Sequence, residues 1–145
     1  MSVGRSCRRM LATASPDDSV RAAARRMAAY GVGEVVVLNV DRHARAVGIV
    51  TDRDITIRCV AGKLDPDQTR VSDVMTTRVH AVSEHVSMEE ALARMAAAGT
   101  RRVVVTNDAD AAIGVLSLDD VLALFVEEMA AVGDLLERQR PRIPT

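Results

Sequence analysis

Gly48-Ile49-Val50-Thr51-Asp52-Arg53-Asp54-Ile55 and Gly114-Val115-Leu116-Ser117-Leu118-Asp119-Asp120-Val121 are the two stretches on which the reading of the fold turns. Each runs glycine, two apolar residues, a hydroxyl, two variable residues, aspartate. Such a run reads as a strand turning into a helix. The hydroxyl with an acid three residues on is a capping box, a device that helix starts use widely. A duplication copies caps too, so two instances do not by themselves make a site. The same groups also carry a second chemistry. Free amides and a hydroxyl at a helix N-terminus can receive a phosphate. A carboxylate one turn along can accept both hydroxyls of a ribose. Thr51 with Asp54, and Ser117 with Asp120, can therefore cap when empty and ligate when full.

Outward from these stretches the whole chain repeats. At an offset of 68 residues Ser19 meets Ser87, Arg26-Met27-Ala28 meets Arg94-Met95-Ala96, Gly31 meets Gly99, and Val35-Val36-Val37 meets Val103-Val104-Val105. At an offset of 66 Gly48 meets Gly114 and Asp54 meets Asp120. Two copies are too few for a solenoid and suit a pseudo-twofold module with equivalent clefts where the copies meet. In each copy Ser19 or Ser87 caps a helix, and Ser87-Met88-Glu89-Glu90 predicts a full capping box. Val20, Ala23, Ala24 and Met27, or Met88, Ala91, Leu92 and Met95, recur at helical spacing. Gly31 and Gly99 end those helices. A valine strand follows, then turns at Asn39-Val40-Asp41 and Asn107-Asp108-Ala109-Asp110, then a second apolar strand and a second helix. Short strands around Leu11-Ala12-Thr13 and Val79-His80-Ala81 lead in. Strands that are apolar throughout imply sheets covered by helices.

Gly62, Pro66 and mixed charge mark residues 61–70 as a linker. Beyond Phe125 the last helix is expected to continue through Met129, Val132, Leu135 and Leu136, with Gly133 weakening it and Pro141 and Pro144 ending it. The duplication supplies no partner for this stripe, so it packs on its own module or on a second copy.

Composition narrows the function classes. The chain has 145 residues, 48% of them apolar and 27% charged, which is a globular balance. Its 19 basic and 20 acidic residues leave a net charge of -1, far from the excess an electrostatic nucleic-acid binder needs. Tyr30 and Phe125 are the only aromatics, too few for base stacking along a single strand. The charge is divided: residues 1–70 carry 12 basic and 8 acidic side chains, and residues 71–145 carry 7 and 12. Cys7 and Cys59 lack metal or redox spacing, and no His/Cys/acid cluster has metal spacing either. No apolar run is long enough for a membrane span. A reduced, cytoplasmic protein is expected, without membrane or nucleic-acid partners. No nucleophile–base arrangement is visible, and each acid pair lies at a helix start, so no enzyme is expected.

Taken in order and in both copies, these segments resemble a tandem pair of CBS domains, the regulatory module named after cystathionine β-synthase. Val71-Ser72-Asp73-Val74-Met75-Thr76, Ser15-Pro16-Asp17-Asp18-Ser19-Val20 and Gly48 to Ile55 carry the likeness, which spans residues 3–125. The resemblance implies an α+β (α/β-like) fold of two β-α-β-β-α repeats about a pseudo-twofold, residues 3–60 and 71–125, with residues 126–145 as a C-terminal helical extension. It implies no required cofactor and adenosine-type ligands (AMP, ADP, ATP, S-adenosylmethionine or NADH) in two clefts. Thr51 and Asp54 would serve one cleft, Ser117 and Asp120 the other. Ala12-Thr13 and His80-Ala81 would flank adenine, and Arg101 and Arg102 would face phosphate. A homodimer and a separate protein effector are expected, since the chain shows no catalytic domain of its own.

This sequence departs from the family pattern in places. Gly33 and Glu34 stand in the first copy where the second has Arg101 and Arg102, and Glu34 would repel a phosphate in a low-dielectric cleft. Val35-Val36 and Val103-Val104 replace a frequent Leu-Pro, and Arg5 replaces the acid matched by Asp73. Unequal clefts follow, the basic one being the better phosphate site. The alternative is a structural or stress-response dimer that uses no nucleotide.

Overall fold

The valine runs form the central strands of two separate three-stranded sheets in the computed structural model, which describes residues 1–39 and 43–141. The first sheet has the order β1 (Thr13–Ala14), β2 (Glu34–Asn39), β3 (Arg45–Thr51). The second has β4 (Ala81–Ser83), β5 (Arg102–Thr106), β6 (Ala112–Ser117). In each, the lead-in strand pairs parallel to the central one and the third strand pairs antiparallel. The crossover helices are α2 (Val20–Tyr30) and α5 (Met88–Ala98). The β-α-β-β-α order is therefore present twice. The lead-in strands begin later than the sequence indicates, at Thr13 and Ala81. The residues just ahead still join the sheet, since the carbonyls of Ala12 and His80 accept from the amides of Val36 and Val104 at 2.9 Å.

Successive strand residues point to opposite faces, and here both faces are covered. Val35 and Val37 enter a core with Ala23 and Met27 of α2. Val103 and Val105 enter its counterpart with Ala91 and Met95 of α5. Val36 and Val104 meet between the sheets, in a third cluster with Ala112 and Val115. This is the physical reason that neither central strand alternates with polar residues.

Each repeat takes into its core the segment that leads into the other repeat. The short helix α1 (Val3–Ser6) places Val3, and Cys7 beyond it, in the second repeat's core. Its counterpart α4 (Val71–Val74) places Val71 and Val74 in the first repeat's core. The strands that follow cross the third strand of each sheet closely. Arg8 exchanges backbone hydrogen bonds with Val115, and Thr76 with Ile49. The motif glycines make room for these crossings. A Cβ on Gly48 would lie 2.5 Å from Met75 Sδ, and one on Gly114 would lie 2.8 Å from both the Arg8 carbonyl oxygen and Cys7 Sγ. Burial here pushes the Cys7 thiol pKa up.

The caps follow the sequence with one correction. Ser19 Oγ and Ser87 Oγ accept from the amides of Ala22 and Glu90 at 3.1 Å, and Gly31 and Gly99 end their helices at φ +64°. The reciprocal half of the Ser87–Glu90 box is absent: the Glu90 carboxylate instead accepts from Arg94 at 2.6 Å, one turn along. A charge-assisted bond to a guanidinium outcompetes one to a neutral amide. The 61–70 segment lies on the first repeat, where Thr69 and Pro66 carbonyls accept from the first amides of α2, Val20 and Arg21. Asn107 Oδ1 accepts from the amides of Ala109 and Ala111, forming the expected turn. The Asn39-Val40-Asp41 turn lies partly outside the described residues, and Pro144 lies wholly outside them.

The second helices diverge. In the first repeat a single helical turn, α3 (Asp52–Asp54), runs into a π-helical segment, Ile55–Val60. Thr56 stands where the second repeat has Leu122, and its hydroxyl donates to the Asp52 carbonyl, the acceptor that its own amide would use in an α-helix. In the second repeat α6 (Leu118–Arg138) is an uninterrupted α-helix of 21 residues. Its stripe is not packed on its own module. Leu122, Phe125, Met129, Val132 and Leu136 are all 47–70% exposed.

Candidate functional site

Both Gly-apolar-apolar-hydroxyl-x-x-Asp stretches form complete capping boxes. Thr51 Oγ1 accepts from the Asp54 amide at 3.1 Å while Asp54 Oδ2 accepts from the Thr51 amide at 2.9 Å. Ser117 and Asp120 repeat this at 3.1 and 3.0 Å, and Ser117 Oγ also donates to Asp120 Oδ2 at 2.7 Å. The capping role is thus real at both positions. The surroundings differ.

Thr51 and Asp54 open onto a cleft of about 370 Å³ between the repeats. The first repeat supplies Ile49, Thr51 and Asp54 to its wall. The rest comes from residues 76–104: Thr76, Arg78, Val79 and His80 from the lead-in segment, Ala98, Gly99 and Thr100 from the helix end, and Arg102 and Val104 from the central strand. Of the sequence candidates, Thr51, Asp54, His80 and Arg102 come together here. Arg78, Thr76 and Thr100 were missed by sequence reasoning. The 68-residue offset carries no signal for them, because their first-repeat counterparts are Met10, Arg8 and Val32.

The other candidates lie elsewhere. Ala81 belongs to a separate hollow beside Arg78 and Arg94. Thr13 belongs to another, near Asp18 and Arg26. Arg101 is turned outward to Asp119, 3.4 Å away, with both side chains well exposed. Only one of the two adjacent arginines therefore faces the cleft.

The electrostatics centre on Glu34, which is 5% exposed. Its Oε2 accepts from Arg102 Nε at 3.0 Å, and its Oε1 accepts from Arg8 Nη2. Glu34, which the sequence marks as repelling a phosphate, bridges two guanidinium groups, because a carboxylate this buried needs compensation. Gly33 leaves space for this arrangement, since a Cβ there would lie 3.1 Å from Arg102 Nη2. Glu34 and Arg8 are the repeat counterparts of Arg102 and Thr76, so on the Ser117 side the equivalent positions are joined in an ion pair. Ser117 itself is 8% exposed. The two sides differ in these positions, and the cleft described above carries Thr51 and Asp54.

The cleft offers three hydroxyls, a carboxylate, two guanidinium groups and an imidazole over an apolar floor of Ile49, Val79 and Val104. That set can hydrogen-bond a polyol, face an anion and cover a flat apolar group. Among the described residues no group of three His, Cys, Asp or Glu side chains could hold a metal ion, and no helix is long and apolar enough to cross a membrane.

Comparison with known proteins places these features in a family. The model of the CBS domain matches residues 3–60 and again 71–127. Protein MK0525 of Methanopyrus kandleri is 32% identical over 138 residues, covering 95% of this chain and 69% of that one. Inosine-5'-monophosphate dehydrogenase of Methanocaldococcus jannaschii is 38% identical over 111 residues, 76% of this chain but only 21% of the dehydrogenase. Among solved structures, CBS domain protein PAE2072 from Pyrobaculum aerophilum complexed with AMP superposes with a TM-score of 0.75 at 28% identity, covering 83% of this chain and 89% of that one.

Proposed function

This chain belongs to the CBS-domain family, and we propose that it is a non-enzymatic regulatory module that binds one adenosine-type ligand in the cleft between its repeats. The observation that carries this reading is the convergence of Thr51 and Asp54 from one repeat with His80, Arg78 and Arg102 from the other. In this reading Asp54 holds the ribose hydroxyls, Thr51 holds ribose or phosphate, and Arg102 and Arg78 face the phosphate. His80 and the apolar floor flank the adenine. The AMP complex of the Pyrobaculum aerophilum protein supports an adenylate as the ligand. ADP, ATP, S-adenosylmethionine and NADH are the competitors.

A ligand seated between the repeats changes how they pack. That change can reach a partner only to the extent that the ligand binds one arrangement more tightly than the other. The module acts in the cytoplasm as a homodimer, passing its state to a separate protein.

Calorimetry and thermal shift against the five ligands test this, using protein freed of copurified nucleotide. One ligand should bind the wild type with a stoichiometry near one per chain and fail to bind Asp54→Ala. No response to any of them would sink the reading. One observation favours a second reading, a ligand-free interaction module: Arg102 is already satisfied by Glu34. Under that reading the same titrations are silent while the dimer persists.

A further inference from the structure

Arg58, in the π-helical segment Ile55–Val60, reaches a group on one wall of the cleft and the root of the segment that builds the other. Its Nη2 stands 3.7 Å from Asp54 Oδ1, four residues back. Its Nη1 donates to the Val74 carbonyl oxygen at 2.8 Å. Asp54 belongs to the first repeat's wall. Val74 is buried, ends α4, and leads directly into Thr76 and Arg78 of the facing wall. Thr76 is in turn bridged to Ile49, its amide donating to the Ile49 carbonyl oxygen at 2.9 Å. One guanidinium therefore ties the carboxylate to the chain segment opposite it. Segments of π-helix occur mostly at functional sites.

Stability is not what this tie supplies. The Arg58 side chain is 45% exposed, and a pair so open to water contributes little to folding. What it fixes is direction. A ribose presents two neighbouring hydroxyls, and a carboxylate accepts from both only when each of its oxygens faces one. Asp54 Oδ2 accepts from the Thr51 amide at 2.9 Å. That single bond leaves Oδ1 free to swing. Arg58, itself pinned by Val74, supplies the second point. The second repeat is built differently. At the 66-residue offset Leu124 stands in place of Arg58. Asp120 takes the Ser117 hydroxyl on the same Oδ2 that accepts the Ser117 amide.

We propose that Arg58 is a positioning residue, which aims Asp54 at the ribose and sets the preference of the cleft for ribose over 2'-deoxyribose. It does not line the cleft, and it acts through Asp54 and not by contact with the ligand. The role rests on the adenosine reading given above and adds to it the group that makes the carboxylate selective.

Calorimetry on the full chain against AMP and ATP, each beside its 2'-deoxy analogue, tests it. Wild type should favour the ribonucleotide by about tenfold or more, since a hydrogen bond to a charged group is at stake. Arg58→Gln should weaken ribonucleotide binding by about tenfold and shrink that preference to within about threefold. Arg58→Lys, whose ammonium is a point charge without the fork, should fall between. Arg53→Gln, at an exposed arginine of α3 outside the cleft wall, should match wild type. A merely structural loss would weaken both sugars alike and leave the preference where it was. Hydrogen exchange without ligand reads the tie itself: the Thr76 amide should exchange about tenfold faster in Arg58→Gln. Circular dichroism checks that each variant is folded. An intact preference in Arg58→Gln, or an unchanged Thr76 amide, would overturn the positioning role and leave the adenosine reading standing. Binding of none of the four nucleotides by wild type would overturn the adenylate reading, and the role with it.

Discussion

Glu34 of the first repeat and Arg102 of the second are joined across the repeat interface, Oε2 accepting from Nε at 3.0 Å. They occupy equivalent places 68 residues apart, with opposite charge. The duplication has thus diverged at its own axis into an ion pair, with Arg8 as a third member. Any anion entering the cleft competes with Glu34 for Arg102. Replacing Glu34 by Gln should raise affinity for AMP by about three- to tenfold, the worth of part of one charge-assisted hydrogen bond. The same change should cost about 1–3 kcal/mol of stability, because Arg8 and Arg102 lose a buried acceptor yet can turn to water. Calorimetry and urea unfolding measure the two. A fall in AMP affinity would mean that Glu34 orients Arg102 for the ligand and does not compete with it.

The two aspartates offer an internal control. Asp54→Ala and Asp120→Ala each remove one half of a capping box and should each lower stability by about 1 kcal/mol. Only Asp54→Ala should abolish nucleotide binding, because only Asp54 lines the open cleft. Equal loss of binding in both would show that the Ser117 side takes ligand as well.

The motif glycines should not be equally sensitive. At Gly114 an added methyl meets the Arg8 carbonyl oxygen, which is fixed in a backbone bridge. At Gly48 the nearest atoms are Met75 Sδ and Cγ, on a flexible side chain that can swing aside. Gly114→Ala should destabilise by about 2–3 kcal/mol and Gly48→Ala by about 1 kcal/mol. Thermal melts of the two variants give the order, and the reverse order would mean that the Met75 pocket is the tighter one.

Acid should act through Asp18. Its carboxylate accepts from Arg26 Nη1 at 2.5 Å and from the Ser15 amide at 3.0 Å. The Arg26 hydrogen bond first, then the Ser15 amide, hold its pKa below the ordinary 3.8. A lowered pKa in the folded chain means that the unfolded chain takes up the proton first. The stabilisation is therefore complete above 3.8 and is lost as pH falls below it towards the folded value. Wild type should be more stable than Arg26→Gln at pH 6, with the difference shrinking below pH 3.8. A difference constant with pH would show that Arg26 acts through packing alone.

The fold was legible because its determinants are local and doubled. Ser19 and Ser87, Gly31 and Gly99, and the two valine runs each state a cap, a stop or a strand within a few residues, and the second copy confirms the first. The lead-in strands begin two residues later than local sequence indicates because their pairing depends on the central strand and not on local propensity. The Glu90 half of its capping box does not form because Arg94 competes from the next turn. Arg78 and Thr100 were invisible as site residues because what they share with Thr51 is a wall, and no periodicity records a wall.

Sequence alone determined the two repeats, the capping boxes that end their third strands, and the inequality between their charges, since each is written in spacing or residue type. Tertiary structure decided which groups meet. Arg102 pairs with Ser117 in backbone register, yet its side chain reaches past its own repeat to the cleft of Thr51 and Asp54. Entry segments 3–8 and 71–76 exchange places, so each motif glycine is explained by residues that lead into the other repeat. The physical reason is common to both: strand pairing settles the backbone, but a side chain on a twofold axis finds its partner only once two separately folded sheets have closed on each other.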